Sequence, residues 1–205
     1  MKLIFKGIYK TKDQLPKGVL PDNAVKFREP DTVSGACLVS MLFIFPAALF
    51  IILCIFASYI LHGELNISVS RVGIYASFLT VLPHELLHVI AFGKGTEAEL
   101  YISPKHFSAF VTSTKPITKG RFIIMSLLPN ITFGLIPMLA WVVLPNSEMY
   151  SPFLFGFSLI SILFGLGDYL NVFNAIRQMP KGSMHQLSGI NSYWFMPQDT
   201  IMPKD

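Results

Sequence analysis

Apolar residues gather into four long runs, and the polar residues between them are sorted by charge. Gly35 to Leu61 carries no charged side chain and is long enough to cross a hydrocarbon core of about 30 Å as a helix. Val69 to Phe92, Phe122 to Leu144 and Pro152 to Ile176 follow as three more apolar runs. The pattern predicts an all-α membrane protein with four transmembrane helices: residues 35–61, 69–92, 122–144 and 152–176 in a membrane domain spanning 35–176. Residues 1–34, the loop 93–121 and the tail 177–205 lie outside the bilayer. Within the loop, Glu97–Ile102 and Phe107–Thr112 could pair as a small β-hairpin around Ser103-Pro104-Lys105-His106. Its free edge could add a strand to an extended peptide.

The charges orient these spans. Lys94, Lys105, Lys115, Lys119 and Arg121 crowd the loop between spans two and three, and Arg177 and Lys181 follow span four. Lys2, Lys6, Lys10, Lys12, Lys17, Lys26 and Arg28 precede span one. The other two connections hold only Glu64 and Glu148. Cytoplasmic loops carry the Lys/Arg excess, so both termini and the middle loop are expected in the cytoplasm, with the cell membrane as the expected location. Composition agrees: of 205 residues, 52% are hydrophobic and 14% charged, and mean hydropathy is +0.55, which excludes an ordinary soluble domain. The net charge of +4 follows from this topology and calls for no nucleic-acid partner. No cleaved signal peptide is expected, because no short apolar stretch near Met1 ends in a small-residue cleavage site. Cys37 and Cys54 stand too far apart on one helix to bond to each other.

The candidate chemistry lies inside span two, where His84-Glu85-Leu86-Leu87-His88 forms an H-E-x-x-H motif. Residues four apart share a helix face, so both imidazoles can offer a nitrogen to one zinc ion, with Glu85 on the flank as general base. Zinc lowers the pKa of a water it holds to about 7. A charged group at the bilayer centre costs about 2 to 3 kcal/mol, so such a motif in a span calls for a functional reason.

Depth selects a third ligand. His84 precedes Gly93 by nine residues, and Asp168 precedes Arg177 by nine. Both spans run the same way, so at 1.5 Å per residue both side chains lie about 13 Å from the cytoplasmic end. Asn130 follows Arg121 by nine residues on the oppositely directed span three. Asp168 is therefore the expected third ligand, since two His and a carboxylate leave a position open for water, as catalytic zinc requires. Glu97, Glu99, His106 and His185 are rivals that would have to fold back from outside the membrane. His62 and His106 otherwise read as solvated loop residues. The longer signature with a third His fails, because Lys94 and Ala91 occupy its His and Gly positions.

Asn130 could bind a substrate carbonyl or stitch spans three and four together. Thr80 and Asn171 lie about one turn from His84 and Asp168 and could support the ligands or simply pack. Pro83 and Pro129 free the carbonyls of Leu79 and Met125, which then need protein or water partners at membrane depth. Gly165 and Gly167, before Asp168, permit close packing or local unwinding.

The H-E-L-L-H motif, the G-L-G-D around Asp168 and the run N-A-I-R-Q-M-P-K-G resemble the putative zincin peptidases, small multi-span membrane proteins, from span two to Trp194. More distantly the chain is similar to the site-2 protease group, which cuts membrane-embedded or membrane-proximal segments. The resemblance implies His84, His88 and Asp168 as ligands and Glu85 as base. Site-2 proteases usually carry Asp-Gly, whereas Tyr169 follows Asp168 here. The expected function is a zinc-dependent endopeptidase acting on membrane proteins or peptides. The alternatives are a non-catalytic zinc-binding scaffold or regulator, and a metal transporter.

Overall fold

The computed structural model describes residues 2–65, 67–104 and 108–197. The chain begins with strand β1 (Lys2–Ile8) and strand β2 (Val25–Lys26). Helix α1 (Val33–Ser40) runs through a short 3-10 turn into α2 (Ile44–His62), making one continuous 30-residue helix. Helices α3 (Arg71–Leu79) and α4 (Val81–Phe92) follow, then strands β3 (Glu97–Ser103), β4 (Ser108–Thr112) and β5 (Ile117–Thr118). Helix α5 (Lys119–Asn130) continues through a π-helical turn, Ile131–Leu135, into α6 (Ile136–Val143). Helices α7 (Ser151–Phe164) and α8 (Leu166–Gln178) lead to strands β6 (Met184–Ser188) and β7 (Asn191–Phe195).

Two of these helical units, Val33–His62 and Lys119–Val143, are long and apolar enough to cross a membrane. The total is up to four if the bent pairs α3–α4 and α7–α8 each count as one span. Both bends have a local cause. The α3–α4 pair bends by 43° at Thr80, where Pro83 has no N–H to return to the Leu79 carbonyl. The α7–α8 pair bends by 50° at Gly165.

The expectation of an all-α protein is wrong. The described residues include seven strands in two sheets, one ordered β1-β3-β4 and the other β2-β7-β6-β5. The expected hairpin is present as the antiparallel β3–β4 pair, with Glu99 opposite Thr112 and Ser103 opposite Ser108. It is enlarged by β1, which pairs parallel to β3 from Lys2 opposite Glu97 onward, with the ion pairs Lys2–Glu97 and Lys6–Glu99 along the seam. The C-terminal tail forms the β6–β7 hairpin, which takes β2 on one edge and β5 on the other. These pairings join segments far apart in sequence, so no local periodicity announces them.

One apolar core fills the space between α2, α6 and α7, around Ala47, Met138, Trp141 and Phe155. A second joins α4, α5 and α8 to the sheet beneath them, around Phe92, Phe122, Met125 and Met179. His185 of β6 lies inside this layer, 1% exposed, stacked on Phe122 with ring centroids 3.6 Å apart and edge-on to Phe27. Its Nε2 has no hydrogen-bond partner among the described residues. Burial pushes the imidazole pKa down to about 3, so it is neutral in the fold, whereas the unfolded chain takes up a proton below about 6.5. Its contribution to stability is therefore complete above about pH 6.5 and is lost as pH falls towards 3. At pH 5 the expected penalty is about 2 kcal/mol, at roughly 1.4 kcal/mol per pH unit. Thermal unfolding of His185→Phe in detergent is expected to lose this part of the acid dependence between pH 7 and 5. An unchanged slope would mean that His185 is not the titrating group.

Candidate metal centre

Helix α5 stands between α4 and α8 and holds both by their ends. Arg121 Nε donates to the Ala91 carbonyl at 2.7 Å, in the last turn of α4. Lys119 Nζ donates to the carbonyls of Met179 at 2.5 Å and Ile176 at 3.5 Å, at the end of α8. A cation at a helix C-terminus satisfies carbonyls that have no helical partner and matches the negative end of the helix dipole. Gly93, with φ of 86°, closes α4 in a conformation that a side chain would oppose, and the Arg121 guanidinium occupies the space a Cβ would need. Two basic residues that the sequence offers as topology signals thus fix the helices that carry the site.

At the centre, His84 Nε2 lies 3.1 Å from Asp168 Oδ2 and His88 Nε2 lies 3.4 Å from Asp168 Oδ1. The two imidazole centroids are 5.0 Å apart, as expected for i, i+4 on one helix face. His88 Nδ1 is 2.9 Å from the Met125 carbonyl, to which it donates its N–H. That carbonyl is free because Pro129 cannot supply the helical N–H. The bond fixes the His88 tautomer and leaves the Nε2 lone pair directed at the carboxylate. A second bond of this kind is what orients histidines that bind metal.

Glu85 is buried, with the backbone amide of Val111 in β4 beside its carboxylate. Its carboxylate and the two imidazole nitrogens lie within 4.8 Å of one another. β4 is the outer strand of its sheet, so its edge away from β3 carries backbone groups that no strand pairs, and Ala109 and Val111 line the cavity. This edge and the four polar side chains share one cavity of about 590 Å³. The donor set fits a zinc ion, with two imidazoles and one carboxylate converging and no Lys or Arg among the described wall residues.

The other expected residues separate. Asn171 lines the cavity. Thr80 turns its hydroxyl back to the Ser77 carbonyl at 2.7 Å, and Asn130 is buried outside the cavity wall, bonded to Ser161 and Tyr169. Among the rivals, Glu97 pairs with Lys2, Glu99 with Lys6 and the Tyr101 hydroxyl, and His185 is sealed in the apolar core. His106 lies outside the described residues. Sequence reasoning missed Val111 and the Met125 acceptor as site components. The Met125 carbonyl was signalled by Pro129, four residues later, whereas nothing local signalled Val111.

No curated protein and no solved structure matches the chain. A family model described as putative zincin peptidase matches residues 77–184, just over half of the chain and all four central side chains. The chain belongs to the putative zincin peptidase family.

Proposed function

We propose that the protein is a zinc-dependent endopeptidase that hydrolyses peptide bonds of membrane or membrane-proximal substrates. The observation that carries this reading is the convergence of His84 and His88 on the two oxygens of Asp168 with Glu85 beside them. A structural site needs ligands only, whereas a carboxylate placed next to the ligand set suits proton transfer.

His84, His88 and Asp168 would hold the metal. Zinc, when bound there, supplies Lewis-acid polarisation of the scissile carbonyl and acidifies a water molecule. Glu85, beside the ligand set, would act as the base that takes a proton from the attacking water and as the acid that returns it to the leaving amine. The Glu85 carboxylate faces the same cavity as the Val111 amide beside it. A peptide bond inside a helix is shielded by its own hydrogen bonds, so the substrate enters locally extended. The Ala109 edge of β4 offers backbone groups to align it as an added strand. All four helical units serve as spans in this reading. The end that carries Lys94, Lys115 and Lys119 faces the cytoplasm, in a multi-pass protein of the cell membrane.

Purified protein in detergent is expected to cleave a membrane-inserted model peptide, to stop when a chelator is added and to resume when zinc is restored. In sealed vesicles, an impermeant chelator is expected to act only from the face that carries Lys94. Cleavage indifferent to chelation would remove the metal mechanism, and inhibition from the opposite face alone would reverse the orientation.

A further inference from the structure

The buried amide of Asn130 lies at the break between α7 and α8. The Gly165 amide turns back to the Ile162 carbonyl at 3.2 Å, so the Ser161 carbonyl, four residues before Gly165, lacks its helical partner. Asn130 Nδ2 donates to that carbonyl at 3.4 Å. Asn130 Oδ1 accepts the hydroxyl hydrogen of Tyr169, the residue next to Asp168. A Cβ at Gly165 would run into the Asn130 amide, so the break is shaped around this one side chain. Asn130 itself is 1% exposed and immediately precedes the π-helical turn at Ile131, a widened geometry common at functional positions.

The break has a consequence for the metal centre. It starts α8 afresh at Leu166, which puts Asp168 in the first turn. Free N–H groups and the positive end of the helix dipole favour a carboxylate there. A straight α7–α8 helix would carry Asp168 in mid-helix and point it elsewhere. We propose that Asn130 is a positioning residue: by bridging Ser161 and Tyr169 across the Gly165 break, it aims the Asp168 carboxylate at His84 and His88. The proposal rests on the zinc reading of that site, and it assigns Asn130 no contact with substrate.

The test is a double-mutant cycle on zinc affinity, measured by chelator competition on the full chain in detergent. Asn130→Ala is expected to weaken zinc binding by about 10 to 100-fold, the usual effect of losing a group that orients a ligand. If Asn130 acts through Asp168, adding Asn130→Ala to Asp168→Ala costs nothing more of the weak affinity that the two imidazoles retain, read by direct titration with zinc in excess. A packing role would instead make the two losses multiply, and that result would overturn the proposal. So would unchanged zinc affinity in Asn130→Ala. The unfolding midpoint of the metal-free proteins controls for folding. Should Asn130→Ala fail to fold, Tyr169→Phe removes only one hydroxyl and enters the same cycle with a smaller effect. Wild-type protein without measurable zinc affinity is a different failure, because it removes the site reading and the proposal with it.

Discussion

Glu85→Gln is expected to abolish peptide cleavage while leaving zinc in place. Gln has nearly the shape of Glu and fills the same place beside the Val111 amide, so α4 and β4 should keep their contact. His84 and His88 are untouched on the neighbouring face of α4, and Asp168 arrives from a different helix. What is lost is a group able to take up a proton at neutral pH. Loss of a general base typically lowers rates by about 10² to 10⁴. The measurement pairs turnover of a membrane-inserted peptide with zinc content on the same preparations. Undiminished turnover would exclude Glu85 as the base. Loss of zinc together with turnover would make Glu85 a ligand and favour a non-catalytic metal site.

The parts of the site built by local geometry were legible in the sequence. The i, i+4 spacing placed His84 and His88 on one face, and equal depth along parallel spans selected Asp168 from another helix. Depth also selected Asn130, but depth says nothing about direction. The amide turns to the α7–α8 break, and only the packing around Gly165 reveals that. Pro129 announced a free carbonyl at Met125 without naming its partner, which is His88, 37 residues earlier in the chain.

The sheets were the least legible part. β1 and β3 pair across most of the N-terminal half of the chain, and β2 reaches β7 from near the opposite end. Strand formation there depends on partners and burial rather than on intrinsic preference. Met184–Ser188 and Asn191–Phe195 are too short and too polar to stand out in a tail after a run of apolar helices. The expected β3–β4 hairpin is the exception, and its strand β4 places the Val111 amide beside Glu85. The positive charges carried a double message. Lys119 and Arg121 read as topology signals in the sequence, and in the fold they hold the ends of α8 and α4.

The central claim is that His84, His88 and Asp168 hold one metal ion, and metal analysis of purified protein tests it most directly. Wild-type protein, dialysed after exposure to zinc, is expected to retain about one zinc per chain, as a site of three protein ligands with one position open for water does. His84→Ala removes one imidazole and leaves Asp168 Oδ2 without its partner at 3.1 Å. Two ligands cannot hold zinc through dialysis at neutral pH, so the metal content should fall close to zero. The helices that position the site keep their Arg121 and Lys119 caps in this variant, so circular dichroism should report unchanged helix content. Loss of zinc with retained helix content is the result expected here. Wild-type protein that holds no zinc, or a His84→Ala variant that holds as much as wild type, would contradict the account.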